Sequence, residues 1–158
     1  MKQLDVRIVT LPPMRVACVN GFGPSPELQA FEKMFAWARE KGLMEKPHRL
    51  FGYNNPNPSP GSPNYGYDVW MTVDDSVQAD DVVRVIDFPG GMYAALTVHA
   101  GPTGEGIFDS WQQLAAWVEG SKYRPAHAQR QWLEESLASV KPRLKGGFVL
   151  DLLDPISG

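Results

Sequence analysis

Hydrophobic and polar positions along the chain repeat themselves. The stretch "VRIVTLPPMRVA" from Val6 returns as "VRVIDFPGGMYA" from Val83, so that Val6 matches Val83, Arg7 matches Arg84 and Pro12 matches Pro89, a shift of 77. Each copy continues as an apolar strand to a Gly-Pro pair, Gly23-Pro24 and Gly101-Pro102, and a helix follows. In the first copy Ser25 suits an N-cap and Pro26 the first helical position. Leu28, Phe31, Phe35 and Ala38 then form one apolar stripe, and Gly42 stops it. In the second, starting near Gly104, the spacing of Ile107, Trp111, Leu114 and Val118 predicts an amphipathic helix ending at Gly120.

Two further strand-like runs follow each helix: "RLFGY" and "YGYDVWMTV" in the first half, "QRQWLEESL" and "GGFVLDLLDPI" in the second. The unit is therefore strand, helix, strand, strand, used twice, with "LPP" or "FPGG" bending the first long strand. The expected fold is α+β: a tandem pseudo-two-fold repeat, with half-repeats at 4–75 and 81–156, forming one mainly antiparallel sheet that carries both helices on one face. The acidic connector "DDSVQADD" is too short to separate independent domains, so residues 1–158 are read as one domain. "NNPNPSPGSPN", with four prolines in eleven residues, reads as a stiff surface loop between two strands, the alternative being a lid over a site.

Strand phase locates candidate chemistry. In "NYGYDVWMTVDD" Tyr65, Tyr67, Val69, Met71 and Val73 suit a buried face, which leaves Asp68 and Trp70 together on the other. In "QRQWLEESLASV", if Leu133 and Leu137 face the helices, Trp132 and Glu134 face the open side in the same way. Tyr93 and Thr97 join that open face if the phase survives the "FPGG" bend. Indole rings beside a carboxylate offer flat apolar contact, cation–π attraction of ~0.5 to 2 kcal/mol, and charge selection for a bulky organic cation. The plainer reading is that Asp68 and Glu134 are solvated strand residues and the tryptophans shield sheet edges.

Composition excludes several classes. A hydrophobic content of 43% with 21% charged residues is that of a globular protein, and no apolar run approaches the roughly 20 residues of a membrane span. A net charge of −3 with scattered basic residues leaves no footprint for nucleic acid. The start "MKQLDVRIVT" lacks a signal-peptide core, and the lone Cys18 in an apolar run fits a buried thiol in a reducing cytoplasm. His48, His99 and His127 are in no metal-ligand spacing, so neither metal nor cofactor is expected, although His99 at a strand end remains a secondary candidate. There is no "GxSxG", and "GPTGEG" lacks the Lys-Ser/Thr of a phosphate loop.

The tandem halves, "FPGGMYA", "HAGP", "IFDSWQQLAAWVEGSKYRP", "YGYDVWMTV" and the closing "LDLLDPI", in this order and spacing, together resemble the GyrI-like small-molecule-binding domain, which is also the effector-binding domain of AraC-type and MerR-type regulators. The resemblance covers Val6 to Ile156. It implies a ligand cleft between the two halves that takes hydrophobic, often cationic compounds, with Glu134 at the position of the family's cleft glutamate. Trp70, Tyr67 and Tyr93 match its aromatic positions, and Asp68, Trp132, Trp111 and Phe148 complete the candidate ligand-binding set. With no room before the first repeat for a helix-turn-helix, the expectation is a stand-alone binding protein that does not itself contact DNA, with a regulator or gyrase as a possible protein partner. The resemblance leaves two alternatives. One is a cyclopropanoid cyclohydrolase-like hydrolase with Glu134 as general base, Trp70 and Trp132 stacking on the substrate and Tyr67 or Tyr93 donating to the leaving oxygen. The other is a DNA gyrase-inhibitory protein.

Overall fold

A computed structural model describes residues 4–57, 59–137 and 148–158. The described residues form two helices and nine strands, every pairing antiparallel, and the fold is α+β. The chain gathers into two compact units, one of residues 13–89 and one of residues 1–12 with 90–158. No helix among the described residues is long and apolar enough to cross a membrane.

The 13–89 unit holds β2 (Met14–Gly23), α1 (Pro26–Glu40), β3 (Leu50–Asn54), β4 (Tyr65–Thr72) and β5 (Arg84–Phe88), with the strands in the order β3-β4-β2-β5. Pro26 opens α1 as its type predicts and Ser25 stands at the N-cap position, but the Ser25 side chain makes no capping hydrogen bond. Gly42, at φ 70°, accepts the left-handed turn that ends it. The buried stripe is Ala30, Phe31, Met34, Trp37 and Ala38, with Phe35 packed at its margin. Leu28, expected in this stripe, is 52% exposed because the stripe is rotated toward Ala30 and Trp37. Against it lie Ala17 and Val19 of β2, Leu50 of β3, and Tyr67, Val69 and Met71 of β4, the odd face anticipated for that strand. Burying each large side chain here contributes roughly 1.5 to 3 kcal/mol. Two glycines permit the close packing. A Cβ at Gly21 would lie 2.4 Å from the Pro26 carbonyl oxygen, and one at Gly52 would lie 2.2 Å from the Tyr67 hydroxyl.

The other unit holds β1 (Arg7–Leu11), β6 (Gly91–Ala100), α2 (Ile107–Glu119), β7 (Arg124–Pro125), β8 (Leu133–Ser136) and β9 (Phe148–Ser157), with the strands in the order β1-β6-β9-β8 and β7 also on β9. Ile107, Trp111, Leu114 and Val118 of α2 pack on Ala94, Leu96, Val98, Leu150, Leu152 and Ile156, as the helical spacing predicts.

The bends at Pro12-Pro13 and Pro89-Gly90 do more than kink a strand. Each arm strand leaves its own repeat: β1 pairs with β6, and β5 pairs with β2. Each repeat thus supplies the edge strand of the unit built from the other repeat.

Candidate functional site

Two carboxylates organise the sheet faces turned away from the helices. On β4, Asp68 stands opposite Asn20 of β2 and Tyr53 of β3. Asn20 Nδ2 donates to Asp68 Oδ1 at 2.7 Å, Asn55 Nδ2 donates to Oδ2 at 3.0 Å, and Arg84 Nη2 lies 3.5 Å from Oδ2. The Asp68 side chain is 0% exposed, yet Asn20, Asn55 and Arg84, which cover it, are themselves exposed. A fully buried carboxylate needs such partners, because leaving it without them would cost several kcal/mol.

Aromatic rings continue this face. Trp70, two residues along β4, meets Tyr53 edge-on at 5.3 Å and Phe88 at 5.4 Å, and stands opposite Phe51 of β3. It is fully buried, and its indole N–H has no hydrogen-bond partner among the described residues, which leaves a donor on the same face as the acid. Burial, and then the Asp68 charge, push the Tyr53 phenol well above the ordinary tyrosine range. The same two causes raise the Cys18 thiol to about 11, so it is protonated and unreactive at neutral pH.

The other unit repeats the plan. Asp151 of β9 stands opposite Thr97 of β6 and Glu135 of β8. Thr97 Oγ1 donates to Asp151 Oδ1 at 2.5 Å, and Arg7 Nη2 pairs with Oδ2 at 3.0 Å. Glu135 is 8% exposed, so two nearly buried acids stand side by side. Leu133, Leu153, Ala95 and Tyr93 extend the face, the Tyr93 hydroxyl donating to the Gln131 carbonyl at 3.0 Å beneath the Arg130 guanidinium. Burial raises the Tyr93 phenol to about 12. Thr97 is related to Asn20, and Arg7 to Arg84, by the offset of 77 seen in the sequence.

Several expected site residues lie elsewhere. On β8 the register differs by one residue from expectation. Glu134 pairs with Leu152, a core residue under α2, and its Oε2 accepts the Trp111 indole N–H at 3.0 Å, so it faces the helix and Glu135 takes the opposite face. The cause is that Leu133 opposes Leu153 on the helix-distal side. Trp132, on Glu134's side, donates to Asp154 Oδ1 at 3.1 Å and stacks on His127 at 4.6 Å. Burial raises the Asp154 carboxyl above the ordinary range, against the lowering effects of the Trp132 bond and of His127. Tyr67 packs on Phe31 under α1, away from Asp68. Trp111 belongs to the α2 core margin, and His99 is exposed. Phe148 pairs with Ala100, and its side chain lies outside the described residues. Asp68, Trp70 and Tyr93 do sit on helix-distal faces. Tyr53, Asn20, Asn55, Glu135 and Asp151 were not anticipated.

The family model of the GyrI-like small molecule binding domain matches residues 4–131. The chain belongs to this family. Among solved structures, the EcmrR C-terminal domain superposes with a TM-score of 0.73 at 10% identity, over 99% of this chain and 99% of that one. In the EcmrR–DNA complex the matched region is 57% of that chain, so this GyrI-like chain spans little more than half the length of EcmrR there. A hydrolase from Listeria innocua aligns with a TM-score of 0.64 at 14% identity, over 99% of this chain and 94% of that one. SAV2435, in a structure bound to tetraphenylphosphonium, aligns with a TM-score of 0.56 at 10% identity, over 98% and 95%. At these identities the likenesses concern the fold. No curated protein matches the sequence.

Proposed function

We propose that this GyrI-like protein binds hydrophobic organic cations and works by holding them rather than transforming them. One observation carries the reading: the fully buried Asp68 carboxylate shares a sheet face with Trp70, Phe51, Phe88 and Tyr53. Removed from water, the acid favours a positive charge strongly, and the rings supply the flat apolar contact and cation–π attraction that an aromatic cation requires. Asp151 with Glu135 offers a second acidic position of the same kind on the other unit's sheet.

Tetraphenylphosphonium, the compound bound to SAV2435, is the probe of choice. Tryptophan fluorescence titration is expected to show saturable quenching by tetraphenylphosphonium and much weaker binding of neutral triphenylphosphine oxide, with the preference for the cation reduced at least about tenfold in Asp68→Asn. Equal affinity for the cation and the neutral compound would overturn the reading. Turnover of a cyclopropane-bearing alkylating agent would replace binding with hydrolysis.

A further inference from the structure

Both acids carry the same resident counter-ion. Arg84 extends from β5, an edge strand, to Asp68, and Arg7 extends from β1, also an edge strand, to Asp151. The arginines occupy matching positions in the repeat, as do Asn20 and Thr97, the residues that donate to each acid from the strand opposite it. Within each pair the two partners differ sharply in exposure. The Arg84 and Arg7 side chains are 64% and 46% exposed, whereas those of Asp68 and Asp151 are 0% and 12% exposed. The carboxylate is fixed in the sheet. The guanidinium reaches it from outside on a long flexible stem, so it can be released to water at little cost.

We propose that Arg84 and Arg7 are displaceable counter-ions that set which cations this protein accepts, an inference that rests on the cation-binding reading. A ligand cation must take the guanidinium's place at the acid, so the exchange trades one positive charge for another and gains little Coulomb energy. Apolar and aromatic contact then decides the outcome. Small alkylammonium ions lose the competition, and large aromatic cations win it. The arginines thereby turn a charge-selective site into one selective for cations with a large apolar surface.

The test compares Arg84→Gln, Arg7→Gln and Arg84→Lys with the native protein in titrations with tetraphenylphosphonium and tetramethylammonium. Removing the competitor is expected to tighten tetraphenylphosphonium about two- to fivefold in either glutamine variant. Tetramethylammonium should tighten at least as much, which narrows the preference for the larger ion. Arg84→Lys keeps the charge and should stay within about twofold of the native affinity. Binding that is unchanged or weaker in both glutamine variants overturns the inference while leaving the cation-binding reading intact. A lysine variant that behaves like the glutamine variant assigns the effect to shape and also overturns it. Absence of binding in all four proteins removes both the inference and the reading beneath it.

Discussion

Replacing Asp68 by asparagine changes one atom and should cost stability as well as affinity. In the native protein both carboxylate oxygens accept from amide groups, Oδ1 from Asn20 at 2.7 Å and Oδ2 from Asn55 at 3.0 Å, at a site with no solvent exposure. An asparagine turns one of those oxygens into an NH2 group, which faces the NH2 of Asn20 or of Asn55 as they now stand, and only a turn of the exposed Asn55 amide would bring the cost to the low end of the range below. Asn20 cannot easily turn its amide over, because the same Nδ2 also donates to the Asn55 carbonyl at 3.0 Å. A buried donor left without its acceptor costs about 1 to 3 kcal/mol. Releasing the exposed Arg84 adds at most about 1 kcal/mol. Together these give roughly 1 to 4 kcal/mol, or a fall in Tm of about 2 to 16 °C for a chain of this size. Circular dichroism melts, with denaturant titrations to check that m is unchanged, measure this directly. A variant melting within about one degree of the native protein, with unchanged m, would show that the two amides do not hold the carboxylate as described.

Two other variants test the packing and the electrostatics. Asp154→Asn keeps an acceptor for the Trp132 indole and removes a carboxyl whose folded pKa is raised by burial. Such a group contributes stability below its unfolded pKa and loses it as pH rises through the folded pKa, so the asparagine variant should melt above the native protein at neutral pH and the gap should close on acidification. A gap independent of pH would refute the assignment. Gly52→Ala places a methyl 2.2 Å from the Tyr67 hydroxyl and 2.5 Å from its ring carbons, which should destabilise by about 1 to 3 kcal/mol. Adding Tyr67→Leu should recover part of that loss, and strict additivity in the double-mutant cycle would show that the two residues do not meet.

The sequence could reveal strands and helices because each has a periodic face: Phe31 and Ala38 of the α1 stripe and the odd positions of β4 were legible. It could not phase β8. Both faces of β9 are apolar at the deciding point, Leu152 under α2 and Leu153 on the opposite side, so an apolar Leu133 suits either side and only pairing across strands selects one. The choice between the adjacent residues Glu134 and Glu135 follows from that pairing. Asn20, Tyr53 and Asn55 were missed for a related reason, since they come together around Asp68 only through non-local register. Trp70 was legible as an aromatic beside an acid, but its missing hydrogen-bond partner is a property of packing.

The exchange of arm strands makes the polypeptide a poor candidate for cutting at its apparent midpoint. Breaking the chain in the acidic connector gives two fragments, each carrying the strand that its counterpart lacks: β1 stays with the first helix, although it pairs with β6, and β5 stays with the second, although it pairs with β2. Neither fragment can complete its own sheet, and each would expose the edge of β2 or β6 to pairing with other chains. Such fragments would be useful only as a reciprocal pair, restoring one another on mixing. A break at the Pro89-Gly90 bend would instead keep β5 on the same side as β2, its hydrogen-bonded neighbour, and part only β1 from β6.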